Sequence, residues 1–465
     1  MSMVKIINVP QSEGVYDTFQ INVNGEAVQA CLCRVSAMPF NIWWPGRQRS
    51  IEQTELAGVL SVVADEPITV TVSYDGAQGK PIVRPLHKNI TAVCENGVTA
   101  FTIERAGDYV LEMPSEHECI HIFVDAPKDF SVYGTPTHYF GAGVHEVGKI
   151  TLKSGDRVFI DENAYVKGVL YGKDVKDVKI YGYGRLDGGM EERKNSRCYE
   201  EDTNGCVKLY DCEDVLLEGI TLSDSAVWVL NVFHSQNVVV ENIKIVGHWR
   251  YNTDGIDVVN SSNVFIRNSF IRAFDDAITL KGIAYYAQSP IENIFVENCI
   301  LWCGWGRTLE IGLETVAEKY ENIHFSNCDL IHNSAVALDI QSGDYAEISN
   351  VSYRDIRVEY SKYTTPEVME NPLGVAYTGA GKLHLPTLIK VCTQPYALDG
   401  EEYSAYAALH EQLRQGRYAF MHDIAFENIT VYLEDELAFP EIVIDVCPPA
   451  KLGKVRIKNI QTKQY

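Results

Sequence analysis

The chain has 465 residues, more than one small domain holds, so two domains or a long solenoid with an appendage are expected. At 46% hydrophobic and 22% charged residues, its composition is that of a globular protein with a large core. A net charge of −23 argues against nucleic acid and anionic membrane surfaces as partners, and no run of 18 apolar residues offers a membrane span.

The opening "MSMVKIINVPQSEG" lacks the apolar core of a signal peptide, so a cytoplasmic enzyme is expected, or a secreted one if a leader has been removed. Residues 1–135 read as short strands joined by hairpins. "INVNGEAVQA" alternates with period two around Asn24-Gly25, and Asp75-Gly76 and Asn96-Gly97 repeat the device. This predicts an N-terminal antiparallel β-sandwich. Its "NIWWPG" segment places Trp43 and Trp44 either at the domain interface or beside a cleft. The twelve cysteines are expected as reduced thiols. Cys31-x-Cys33 and Cys299-x3-Cys303 lack a second ligand pair at zinc spacing, so neither a metal nor a cofactor is expected.

From residue 136 to 465 a phrase recurs, as in "NVVVENIKI", "NVFIRNSFI" and "NIFVENCIL". Its second residues are Val178, Val215, Val238, Val264, Ile294, Ile323, Val351, Ile424 and Val455. A strand-like unit repeating every few tens of residues predicts a solenoid of stacked strands, here a parallel β-helix. Asn242, Asn268, Asn298, Asn327, Asn428 and Asn459 share one place in the phrase, which predicts a structural amide ladder along a turn. The one long gap, after Val351, holds an insertion over about 361–420 with a helix expected near Glu401–Gln415.

In "RYNTDGIDVV…AFDDAITLKG" three acids, Asp254, Asp275 and Asp276, fall about one coil apart. Stacked coils bring equivalent positions within about 4.8 Å, so the acids should meet on one face, open to solvent on one side. Both Asp275 and Asp276 can face that site only if the chain bends there. Three close carboxylates suit inverting glycoside hydrolysis. Like charges keep one acid protonated to donate to the leaving oxygen, and the others hold and deprotonate water. His248, Trp249, Tyr251 and Trp305 flank the acids and suit stacking on sugar C–H faces in a cleft, although such rings taken singly are more often core, and Trp302 reads as core.

"NTDGID" followed by "DDAITLKG" resembles the polygalacturonase family, glycoside hydrolase family 28, and its relatives the dextranases and isopullulanases of family 49. "VKIYGYGRLDGG" and "LEGITLSDSAVWVLNVFHSQNV" are similar to the family's preceding coils, and the likeness covers about residues 138–360. The resemblance implies an all-β fold: a right-handed parallel β-helix preceded by the β-sandwich, acting on a carbohydrate. It places Asp275 as general acid, Asp254 and Asp276 as the water-activating pair, and Asn252 and Lys281 as flanking residues of the substrate-binding set with orienting and structural roles. Two departures matter. Arg307 stands where the family has histidine, with Glu310 where it has serine. Ala337 and Asp339 replace the Arg-x-Lys that grips a uronate. Acids there disfavour a carboxylate substrate, which implies a neutral sugar, with Arg307, Glu310 and Asp339 either binding its hydroxyls or forming a local salt-bridge network. A polygalacturonase-type hydrolase, a β-helix lyase, a sugar transferase and a non-catalytic carbohydrate-binding protein are the alternatives. The oligomeric state is left open.

Overall fold

The computed structural model describes residues 3–8, 10–36, 51, 54–74, 80–113, 115–193, 204–362, 385–393 and 416–465. Trp43, Trp44, the Asp75-Gly76 turn and the helix expected near Glu401–Gln415 lie outside the described residues, as does most of the 361–420 insertion. Among the described residues there is no α-helix, only strands and 3-10 turns.

The N-terminal strands run antiparallel except where Ser115–Asp125 joins Thr54–Ala64 in parallel. They form one ten-stranded hydrogen-bonded sheet. Residues from most of its strands, among them Phe19, Val62, Val70, Phe101, Leu111 and Ile122, share one buried cluster, so the sheet wraps around its own core. Asn24-Gly25 and Asn96-Gly97 both sit at positive φ and close two-residue hairpins, Val23 opposite Glu26 and Glu95 opposite Val98.

From His138 to Gln464 the strands pair in parallel, each with the equivalent strand one coil on. Most coils carry three strands; Ser262–Arg267, Phe270–Ala273 and Ile278–Gly282 make one of them. The β-helix follows from the repeated phrase. All nine of its second residues stack in direct register, including Val351 on Ile424 across the insertion. All but Val455 are buried. Each such side chain contributes about 1.5–3 kcal/mol of burial, and the β-branched ones suit a pleated wall.

The turn after this strand explains the asparagines. Asn242, Asn268, Asn298, Asn327, Asn428 and Asn459 all have φ between 52° and 58°. Asparagine tolerates this left-handed conformation better than most residues with a Cβ. Their amides run from coil to coil: Asn327 Nδ2 donates to Asn298 Oδ1 at 3.3 Å, and Asn459 Nδ2 to Asn428 Oδ1 at 2.8 Å. A second ladder, at the first residue of the phrase, escaped the sequence reading. It runs Asn237, Asn263, Asn293, Asn322, Asn350 with amide bonds of 2.7–3.3 Å.

The N-terminal sheet docks on the middle strands of the coils. Val59, Val110 and Phe123 pack against Phe270, Ile300 and Trp302. Arg84, 1% exposed, ties the two parts together: it meets Glu112 at 2.7 Å and Glu359 of the β-helix at 2.5 Å. His332 pairs with the same Glu112. Arg272 donates to His121 at 3.1 Å and lies 3.5 Å over the Trp302 ring. Trp302 is thus an interface core residue. The docking also braces Phe270–Ala273, the strand that leads directly into Asp275.

Candidate active site

All three acids lie at one corner of successive coils. Asp254 precedes the strand Ile256–Val259, and Asp275 and Asp276 fill the bend between Phe270–Ala273 and Ile278–Gly282. The "NTDG" stretch builds its turn residue by residue. Asn252 sits at φ 58°, and the Thr253 hydroxyl closes the turn on the Arg250 carbonyl at 2.7 Å. Gly255 lets the coils touch, since a Cβ there would stand 2.4 Å from the Ala277 carbonyl oxygen. The Gly255 N–H donates to the Asp276 carbonyl at 2.8 Å, and Ile256 pairs with Ile278. Asp254 and Asp276 are therefore cross-strand neighbours. The bend expected at the Asp pair is present, and both carboxylates converge on Gly306 of the next coil.

Asp276 is the anchored member. Its Oδ1 accepts the Arg307 backbone N–H at 2.7 Å and lies 3.8 Å from Arg307 Nη1; its Oδ2 lies 3.9 Å from Lys281 Nζ. Burial pushes its pKa up, but Arg307 and Lys281 outweigh that and hold it below the usual carboxylate value. Asp275 has the opposite fate. Burial and the charges of Asp254 and Asp276 push its carboxyl well up, which favours its protonated form. Its Oδ1 accepts the Asp276 N–H at 3.0 Å, and Asn252 Nδ2 reaches its Oδ2 at 3.5 Å. Asp254 is intermediate: burial pushes it up to about 7, Lys281 pulls it back and Asp276 adds to the rise. Carboxyl groups driven apart in this way can divide acid and base work between them.

The trio is more enclosed than expected from sequence, with exposures of 1% for Asp254, 4% for Asp275 and 6% for Asp276. Two cavities of about 460 and 510 Å³ lie at the domain junction, away from the acids. The groups at the site that do reach solvent are the half-buried Tyr251, Asn252, Trp305 and Arg307. Tyr251 and Trp305 lie 5.4 Å apart, and Phe274 stacks 5.9 Å from Trp305. Trp249, also half-buried, donates its indole N–H to Asp224 at 2.8 Å under the Arg250 guanidinium.

Three sequence assignments need correction. His248 does not face the site: it is 2% exposed, with Nδ1 accepting from Ser225 N–H at 3.4 Å and Nε2 3.2 Å from the Leu222 carbonyl oxygen. Burial pushes its pKa down to about 3, so it packs as a neutral ring. Glu310 and Asp339 are fully buried and stacked in register. Each has an oxygen 3.8 Å from Arg307 Nε, so they brace that guanidinium and do not themselves face a sugar. Lys281, 4% exposed, holds carboxylates at 2.9 Å (Asp254) and 3.0 Å (Asp257) and does not reach outward. Asp257 and Trp228, whose ring lies 4.0 Å from that ammonium, were missed. The available signal was an acid on a strand of β-branched residues, "GIDVV".

Comparison with known proteins bears on this site. Residues 125–370 match the model of the glycosyl hydrolases family 28. A dextranase of Arthrobacter globiformis is 28% identical over 241 residues, 45% of this chain and 34% of the dextranase. A probable exopolygalacturonase B of Aspergillus fumigatus is 26% identical over 206 residues, 40% of this chain and 44% of that protein. The matched stretch thus spans a third to under half the length of these relatives. Dex49A from Penicillium minioluteum superposes with a TM-score of 0.63 at 12% identity, over 95% of this chain and 87% of that one, a likeness of fold. With more than half of its residues inside the family match, the chain belongs to the glycosyl hydrolases family 28.

Proposed function

We propose that the chain is an inverting glycoside hydrolase acting on an oligo- or polysaccharide, with a neutral sugar at the cleaved site. The observation that carries this is the convergence of the Asp275 and Asp276 carboxyl groups over Gly306, with Asp254 on the neighbouring coil beside Asp276. Burial and like charge push Asp275 up, while Arg307 and Lys281 hold Asp276 down. Asp275 gives its proton to the glycosidic oxygen as the C–O bond breaks. A water on the opposite face, held by Asp254 and Asp276, attacks the anomeric carbon and loses its proton to Asp254. In the inverting arrangement acid and base stand about 6.5–9.5 Å apart, leaving room for that water. The sugar loses one bond and gains one from the opposite face, so its anomeric configuration inverts.

The neutral sugar rests on charge. Ala337 and Asp339 occupy the places where a uronate-binding relative carries cations, and both are buried. The nearby guanidinium, Arg307, is already shared among Asp276, Glu310 and Asp339. A uronate substrate is the second reading, favoured by the half-exposed edge of Arg307 and by the exopolygalacturonase relatives. Incubation with neutral glucans, dextran oligosaccharides and oligogalacturonides separates the two, with products followed by mass and by NMR of the anomeric proton. Hydrolysis of a neutral oligosaccharide with inversion supports the proposal. Unsaturated products would indicate a lyase, and products without added water a transferase.

A further inference from the structure

Lys281 is enclosed on four sides. Its Nζ lies 2.9 Å from Asp254 Oδ2, 3.0 Å from Asp257 Oδ1, 3.9 Å from Asp276 Oδ2 and 4.0 Å from the centre of the Trp228 ring. Asp257 is fully buried, and Lys281 and Trp228 are each 4% exposed. A lysine ammonium is a compact charge on a flexible stem, and buried charges are costly unless partners fix them. Asp254 and Asp257 present two carboxyl groups to one ammonium, so they compete for it. Their protons then belong to the pair and not to either residue.

We infer that Asp257 is a positioning residue for the reaction: with the Trp228 ring it cradles Lys281 and so sets the pH at which Asp254 becomes a base. The inference rests on Asp254 being the water-activating group. The groups facing Asp254 are Lys281, Asp257, Asp276, Asp275 and Glu314, from its own strand, the Asp pair's turn and the coil beyond. Among these, Asp257 takes a share of the one ammonium in contact with Asp254. Burial, offset by Lys281 and reinforced by Asp254, pushes Asp257 well above its ordinary value, consistent with a shared proton. None of Asp257, Lys281 and Trp228 reaches the half-buried rim at Tyr251, Asn252, Trp305 and Arg307, so they act on turnover and not on binding.

The test compares wild type with Asp257→Asn and Lys281→Met by two readouts. The first is the acid limb of kcat/KM against pH on whichever panel oligosaccharide the wild type hydrolyses. The second, which needs no substrate, is the titration of the Asp254 carboxyl carbon in protein labelled at aspartate carboxyls, assigned by its loss in Asp254→Asn. Asp257→Asn leaves the ammonium to Asp254 alone, so both midpoints should fall by about one pH unit, with KM unchanged. Lys281→Met should raise both. Should Asp257→Asn fail to fold, Asp257→Ser, whose hydroxyl still accepts from the ammonium, replaces it. An Asp254 titration identical in folded wild type and Asp257 variant overturns the inference. A wild type that hydrolyses nothing in the panel counts instead against the hydrolase reading, because the carboxyl titration can still be read.

Discussion

Gly306 and Asp275 come so close that no side chain fits between them: a Cβ on Gly306 would stand 2.5 Å from Asp275 Oδ1 and 2.1 Å from Asp276 Oδ1. The two carboxylates converge over bare backbone on the adjacent coil. Gly306→Ala must push one of them aside. The expected result is a folded protein destabilised by about 1–3 kcal/mol and at least 100-fold slower, measured by denaturant titration and steady-state kinetics.

The acids make stability and activity respond oppositely to pH. Asp254 and Asp339 are pushed up to about 7, and Asp108 and Asp224 to about 6, in each case by burial first. Each binds its proton more tightly folded than unfolded, where the ordinary value is 3.8. Their contribution is therefore full below about pH 4 and is lost as pH rises through 6 to 7. Glu112, held down to about 2 against burial by Arg84 and His332, acts the other way: its contribution is present above its ordinary 4.5 and lost toward pH 2. On these groups maximal stability is expected at about pH 4 to 4.5, falling as pH rises to 7, while kcat/KM still rises toward pH 7 as Asp254 ionises. Calorimetric Tm and kcat/KM measured from pH 4 to 8 check both trends. A Tm that rises steadily from pH 5 to 8 would contradict the first.

Arg84 sits between two buried carboxylates from different parts of the chain, Glu112 and Glu359. Arg84→Met leaves Glu359 without its cation and Glu112 with His332 alone. The expected cost is about 3–5 kcal/mol, read by chemical denaturation. Glu359→Gln together with Arg84→Met should recover part of it.

The asparagine ladder is expected to matter for stability and not for turnover. Asn298 has φ 55° and links Asn268 to Asn327. Asn298→Ala should cost about 1–2 kcal/mol for the left-handed conformation plus the lost amide bonds. Asn298→Gly should recover the backbone share alone, with kcat unchanged in both.

The coil register was legible because a repeated phrase must stack on itself: Val178 to Val455 predicted the pairing, even across the insertion. The meeting of Asp254 with Asp275 and Asp276 followed from the same arithmetic. What sequence could not supply was depth. "HWRYNTDG" gives no sign that the His248 ring turns inward to Leu222 while Trp249 stays near the surface, since the path of that turn is set by packing against the preceding coil. Glu310 and Asp339 were correctly grouped with Arg307, but their position beneath its guanidinium depends on a row of outward-facing side chains that is itself covered. Asp257 looked like an ordinary strand residue because the lysine that engages it lies one coil away.

The central claim is that Asp275 delivers the proton to the leaving oxygen. Asp275→Asn keeps the shape and removes the proton. The direct measurement is turnover of a hydrolysed oligosaccharide by Asp275→Asn beside its binding by calorimetry. The expected result is kcat lower by about 100- to 10,000-fold with affinity retained. Turnover within a few-fold of wild type, in a protein that still folds and binds, would contradict it.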